Sequence, residues 1–97
     1  MEIEINEING IKIALLKSEN IVIKETQNAL DLMAEANYRG SGEIIVHEKN
    51  IAPAFFDLKS GLAGEILQKF STYNVKLAIV GDFSKYSSKS LQNFISM

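Results

Sequence analysis

A carboxylate, an ammonium group and a hydroxyl fall within four residues at Asp57, Lys59 and Ser60, with Gly61 and an amphipathic run directly behind them. A serine at the start of a helix sits where unpaired backbone N–H groups and the helix dipole favour an oxygen or an anion. Ser60 therefore reads in two ways, as a helix cap or as a phosphoacceptor. Capping alone accounts for its presence, since a cap oxygen contributes about 1 kcal/mol. A second group lies where apolar runs end. His47 and Glu48 follow Ile44-Ile45-Val46, and Asp82 and Ser84 follow residues 75–80. Ligands of α/β sheets gather at the carboxyl ends of strands, so His47, Asp57 and Asp82 form the set to test for acid–base chemistry or small-molecule binding. The plainer reading makes Asp82 and Ser84 turn caps and His47 a half-exposed strand end. No nucleophile with a paired base is visible, and no catalytic residue is assigned.

Several chemistries are excluded. There is no Gly-x-Gly-x-x-Gly and no Gly-Lys-Ser/Thr, hence no nucleotide cradle. A chain without cysteine and with one histidine offers no zinc site, and no cofactor is expected. The net charge of −2, with signs interleaved, lacks the basic footprint that nucleic acid demands. The acidic, alternating amino terminus is unlike a signal peptide, and no apolar run approaches the ~20 residues that span a bilayer. A cytoplasmic location without membrane contact is the expectation.

The positioning elements follow from periodicity. Residues 2–8 alternate around Ile3 and Ile5, as a half-buried strand does. Asn9-Gly10 is a hairpin turn, and residues 11–16 return as the second strand with Ile11, Ile13 and Leu15 sharing one face. Residues 21–23 make a brief third extended piece. Residues 25–38 change to helical period, with Ala29, Leu30, Leu32, Met33 and Ala36 as the apolar stripe and Thr26 as N-cap. Residues 43–48 form a strand buried on both faces. Phe55 and Phe56 read first as core plugs, with an exposed aromatic pair as the alternative, and since neighbours cannot both point the same way one of them is available to a contact surface. A long helix over residues 60–73 carries Leu62, Ala63, Ile66, Leu67 and Phe70 inward, with Gly61 and Gly64 allowing close approach to the sheet. Residues 75–80 make a second buried strand, and Leu91, Phe94 and Ile95 mark a final helix. The order implies an α/β fold: a small mixed β-sheet with an antiparallel N-terminal hairpin, the strands at 44–46 and 75–80 central, and helices mainly on one face.

The run Ile44-Ile45-Val46, the loop through Asn50-Ile51, and Asp57-Leu58-Lys59-Ser60-Gly61-Leu62 opening a helix that ends Ile66-Leu67-Gln68-Lys69-Phe70 resemble the STAS, or anti-anti-sigma factor, pattern. In that family an Asp-Ser-Ser-Gly-Leu segment enters the helix, and its second serine is the phosphoacceptor that switches binding to an anti-sigma kinase. The resemblance implies that Ser60 holds that position. Here Asp57 stands three residues before the serine rather than two, Lys59 replaces the first serine, and the strand-to-helix loop is longer. Over most of its length, through ALDLMA, FFDLKSGLAGEILQKF and VKLAIVGDFSKYSSKSLQNFI, the chain is similar to the bacterial domain family DUF4180, which brings no established activity. That likeness implies one domain over residues 1–97, with a clipped carboxyl end as one alternative.

The expected function is a non-enzymatic, regulatory protein-interaction module of STAS-like type. It would contact an unidentified protein through Asp57, Lys59, Ser60, Gly61, Asp82 and Ser84, gated at Ser60. Replacing Ser60 by Asp is then expected to alter binding with stability nearly intact. The alternative is a small-molecule-binding protein or minor enzyme using His47, Asp57 and Asp82 in a concave polar pocket. A homodimer through the edge of the N-terminal hairpin is compatible with either.

Overall fold

The computed structural model describes residues 2–81. Four strands, β1 (Glu2–Ile8), β2 (Ile11–Lys17), β3 (Glu43–His47) and β4 (Lys76–Val80), alternate with two helices, α1 (Thr26–Tyr38) and α2 (Leu62–Thr72). Asn9 and Gly10 both take positive φ, 52° and 81°, as the expected type I′ hairpin requires. β1 pairs antiparallel with β2, with Ile3 opposite Leu16 and Ile5 opposite Ala14. β2–β3 and β3–β4 are parallel, and the sheet order is β1-β2-β3-β4. The fold is thus α/β with a small mixed sheet, as the sequence implies.

Because the sheet order advances one strand at a time, right-handed crossovers put α1 and α2 on the same face. Beneath them lie Ile3, Ala14, Leu16, Ile44 and Val46 of the sheet, packed with Leu32 and Met33 of α1 and Ile66 and Phe70 of α2. Ile11, Ile13 and Leu15 do share one face of β2, and it is not the face that meets the helices. Ala14 and Leu16 are buried, while Ile11, Ile13 and Leu15 lie on the face that neither helix covers. The hairpin register decides it, since the core side of β1 carries Ile3 and Ile5, whose partners on β2 are the even-numbered residues.

Position within the sheet also differs from expectation. Among the described residues β4 is an edge strand and β2 takes the central place beside β3. Leu77 and Ile79 pack on the core, whereas Lys76, Ala78 and Val80 are exposed, so the apolar run of β4 serves one face only. Residues 21–23 form no strand. They are held by a single parallel bridge, Ile23 with Ile51, and by Val22 and Ile23 N–H donating to the Asn50 carbonyl.

Both helix starts are shifted from their expected places. Glu25, not Thr26, is the N-cap of α1, and the Asn28 Oδ1 accepts from the Lys24 and Glu25 N–H groups at 2.9 and 3.0 Å. Thr26 is the first helical residue, and its hydroxyl donates instead to Glu65 on α2 at 3.3 Å. α2 starts at Leu62, because Gly61 in the left-handed region interrupts the helix that the apolar period would extend to Ser60. Gly64 faces open space on the exposed side of α2, so it provides no close approach to the sheet. Asp82, Ser84 and the final helix expected through Leu91, Phe94 and Ile95 lie outside the described residues.

Candidate functional site

The segment between β3 and α2 is built from three successive 3-10 turns, Glu48–Asn50, Pro53–Phe56 and Leu58–Ser60. Asn50 anchors the first. Its side chain is fully buried, with Nδ2 donating to the Ser18 and Asn20 carbonyls and Oδ1 accepting from the His47 N–H. The second turn starts with proline, which presets φ at the first position of a helical turn. It buries both aromatics. Phe55 and Phe56 meet edge to face, with ring centroids 5.0 Å apart, so neither is left for a contact surface. Successive side chains of a 3-10 turn diverge by about 120°, and this turn sits in a corner of the core where both directions lead inward.

The third turn holds the residues that the sequence singles out. The Asp57 carboxylate accepts from the Lys59 N–H at 3.0 Å. The Ser60 hydroxyl lies within hydrogen-bond distance of the Ala54 and Asp57 carbonyls, and its oxygen accepts from the Leu62 N–H at 3.2 Å. Leu62 opens α2, so Ser60 satisfies one of the unpaired donors of the helix from one residue ahead of the N-cap. Gly61 has φ 73° with open space where a Cβ would stand, so conformation rather than room calls for glycine. Asp57, Lys59, Ser60 and Gly61 are thus brought together on one exposed turn. Leu58 stands among them with 59% of its surface exposed, although apolar periodicity gives no reason to single it out.

A second feature lies at the carboxyl end of the parallel strands. A hollow of about 390 Å³ is lined by Glu2, Lys17, Ser18, Glu19, His47 and Lys49, with Leu16 at its floor. Lys49 reaches Glu19 at 2.9 Å, and this hydrogen bond and charge hold the Glu19 carboxyl below its ordinary value. The expected trio is not assembled there. His47 lines the hollow, Asp57 sits on the turn before α2, and Asp82 is outside the described residues. Sequence reasoning missed Lys17, Glu19 and Lys49, because their association depends on the β2–β3 pairing and the Asn50 anchor. Among the described residues, no group of three or more His, Cys, Asp or Glu could hold a metal ion. None of their helices is long and apolar enough to cross a membrane.

The described residues define a one-sided α/β layer, a four-stranded mixed sheet with two helices on one face and the β3–α2 turn at its strand-end edge. The chain belongs to the DUF4180 family: the family model described as a domain of unknown function matches residues 8–96. No curated protein and no solved structure matches it.

Proposed function

We propose that the chain is a non-enzymatic regulatory interaction module of STAS-like type, with the exposed turn before α2 as its contact surface and Ser60 as its gate. The observation that carries this reading is Leu58. A largely exposed leucine stands on a turn whose backbone is fixed by the Asp57 carboxylate and the Ser60 hydroxyl. A prefixed loop loses little conformational entropy on binding, which is what makes an exposed apolar side chain an effective anchor. The matching partner offers an apolar pocket for Leu58 with an acceptor nearby for the Lys59 ammonium. A phosphoryl group on Ser60 Oγ would remove its proton donor and set negative charge against two carbonyl oxygens. The turn would then release and the surface would change.

Paired baits test this. Wild-type and Leu58→Asp chains are used to capture proteins from the source cells, with mass spectrometry as readout. A protein retained by wild type and lost with Leu58→Asp supports the reading, since an exposed side chain can be charged with little effect on folding. Equal capture by both baits, or capture by neither, rejects it. The hollow at His47 supports a second reading, small-anion binding at Lys17 and Lys49, which chemical-shift mapping with inorganic phosphate tests directly.

A further inference from the structure

The helix layer leaves one flank of the sheet part-covered. Glu65 accepts from the Thr26 hydroxyl at 3.3 Å, so that side of α2 faces α1. Leu67 lies about 200° further round the helix, on the opposite flank. It is half-buried and packs on the core, as do Leu77 and Ile79 on the core side of β4. β4 ends the sheet order, so among the described residues no strand or helix stands beyond it. Leu67, Leu77 and Ile79 therefore mark an apolar step where α2 meets the edge strand.

The chain itself carries what fits this step. β4 ends at Val80, and residues 82–97 follow it. Residues 82–90 are mostly polar, and Leu91, Phe94 and Ile95 then recur at i, i+3 and i+4, the spacing of one apolar stripe. The family match runs through them to residue 96, which makes them part of the same domain as the sheet. We propose that residues 82–97 fold back on the outer flank of α2 and seat Leu91, Phe94 and Ile95 against Leu67, Leu77 and Ile79.

Length allows it. Leu91 to Ile95 at helical rise spans about 6 Å, and Leu77 to Ile79 along a strand spans about 7 Å. The nine residues between can reach up to roughly 30 Å, against the 8–10 Å or so that separates packed elements. The tether also selects the occupant. A segment joined by so short a connection acts at an effective concentration of about millimolar order, above that of a separate partner in solution. This contact involves neither Leu58 nor Ser60 and stands or falls independently of the turn before α2.

Nuclear Overhauser contacts in the full chain, with the methyl groups of Leu and Ile labelled, test it. Cross-peaks are expected from the Phe94 ring to the methyls of Leu67, Leu77 and Ile79. In a mixture of labelled and unlabelled chains, filtered for contacts between copies, the same peaks should be missing. Phe94→Ser should shift these methyls, leave those of Leu16 and Ile44 in place, and lower the urea midpoint. Leu67→Ala should then cost at most about half as much in the Phe94→Ser background as in wild type, the non-additivity of two side chains in contact. Wild-type chain without these cross-peaks overturns the proposal, as do peaks that arise between copies. Leu67, Leu77 and Ile79 methyls unmoved by Phe94→Ser, or strictly additive costs of the two variants, overturn it as well.

Discussion

The Asn50 side-chain amide donates to the Ser18 carbonyl at 2.8 Å, joining the turn after β3 to the turn after β2 across 32 positions of sequence. The same amide reaches the Asn20 carbonyl at 2.9 Å, and its oxygen accepts from the His47 N–H. Asn50 is wholly buried, so nothing in solvent substitutes for these bonds. Asn50→Leu should destabilise the chain by about 2–4 kcal/mol, read as a lower urea midpoint, because it strands two acceptors and a donor. It should also disorder the hollow at His47. A loss below about 1 kcal/mol would mean that the two turns hold together without it.

Ser60 is the next test, and here the geometry leads to a prediction opposite to the expectation that Ser60→Asp is nearly neutral to folding. The hydroxyl lies against the Ala54 and Asp57 carbonyls, which also accept from the Asp57 and Ser60 N–H groups, and an aspartate would aim negative charge at both. Ser60→Ala should cost about 1 kcal/mol, the value of a lost cap and turn bond. Ser60→Asp should cost more and should speed hydrogen exchange at the Leu62 amide. If aspartate proves no worse than alanine, the carbonyl contacts do not constrain the turn.

How much of this was legible in the sequence follows from the range of each interaction. The hairpin at Asn9-Gly10, both helices and the alternation with parallel strands follow from local period and turn chemistry, and all are present. The facing of β2 was not legible. IKIALL offers apolar residues on both faces, and only pairing with β1 and β3 chooses Ala14 and Leu16. The start of α2 was misplaced because period extends an apolar stripe through any residue, whereas the left-handed Gly61 ends it. Asp57, Lys59, Ser60 and Gly61 could be grouped because they are neighbours in sequence. Lys17, Glu19, His47 and Lys49 could not, since a buried asparagine some thirty residues from Ser18 brings them to one hollow.

Gly61 and Gly64 should respond to alanine with opposite signs. Both face open space, so no clash enters the comparison. Gly61 has φ 73°, where a Cβ strains the backbone, and Gly61→Ala should lose about 1 kcal/mol. Gly64 lies inside α2 on its exposed side, and Gly64→Ala should gain roughly 0.5–1 kcal/mol by lowering unfolded-state entropy and raising helix propensity. Thermal midpoints of the two variants, measured together, should bracket wild type. A stabilising Gly61→Ala would contradict the left-handed turn.

Glu19 and Lys49 supply the pH prediction. The Lys49 ammonium, bonded at 2.9 Å, lowers the Glu19 carboxyl in the folded chain relative to the unfolded one. A carboxyl shifted down on folding contributes stability above its unfolded value, and that contribution is lost as pH falls through the folded value. The pair is solvent-exposed and screened, so the effect on global stability should be small and salt-sensitive. Site-resolved titration is the sharper readout. The Glu19 carboxylate carbon should titrate below the ordinary glutamate midpoint, and Lys49→Met should move it up. High salt should move it the same way. If Lys49→Met leaves the midpoint where it was, the ammonium is not what lowers it, and the Glu19–Lys49 rim of the hollow is not held in solution.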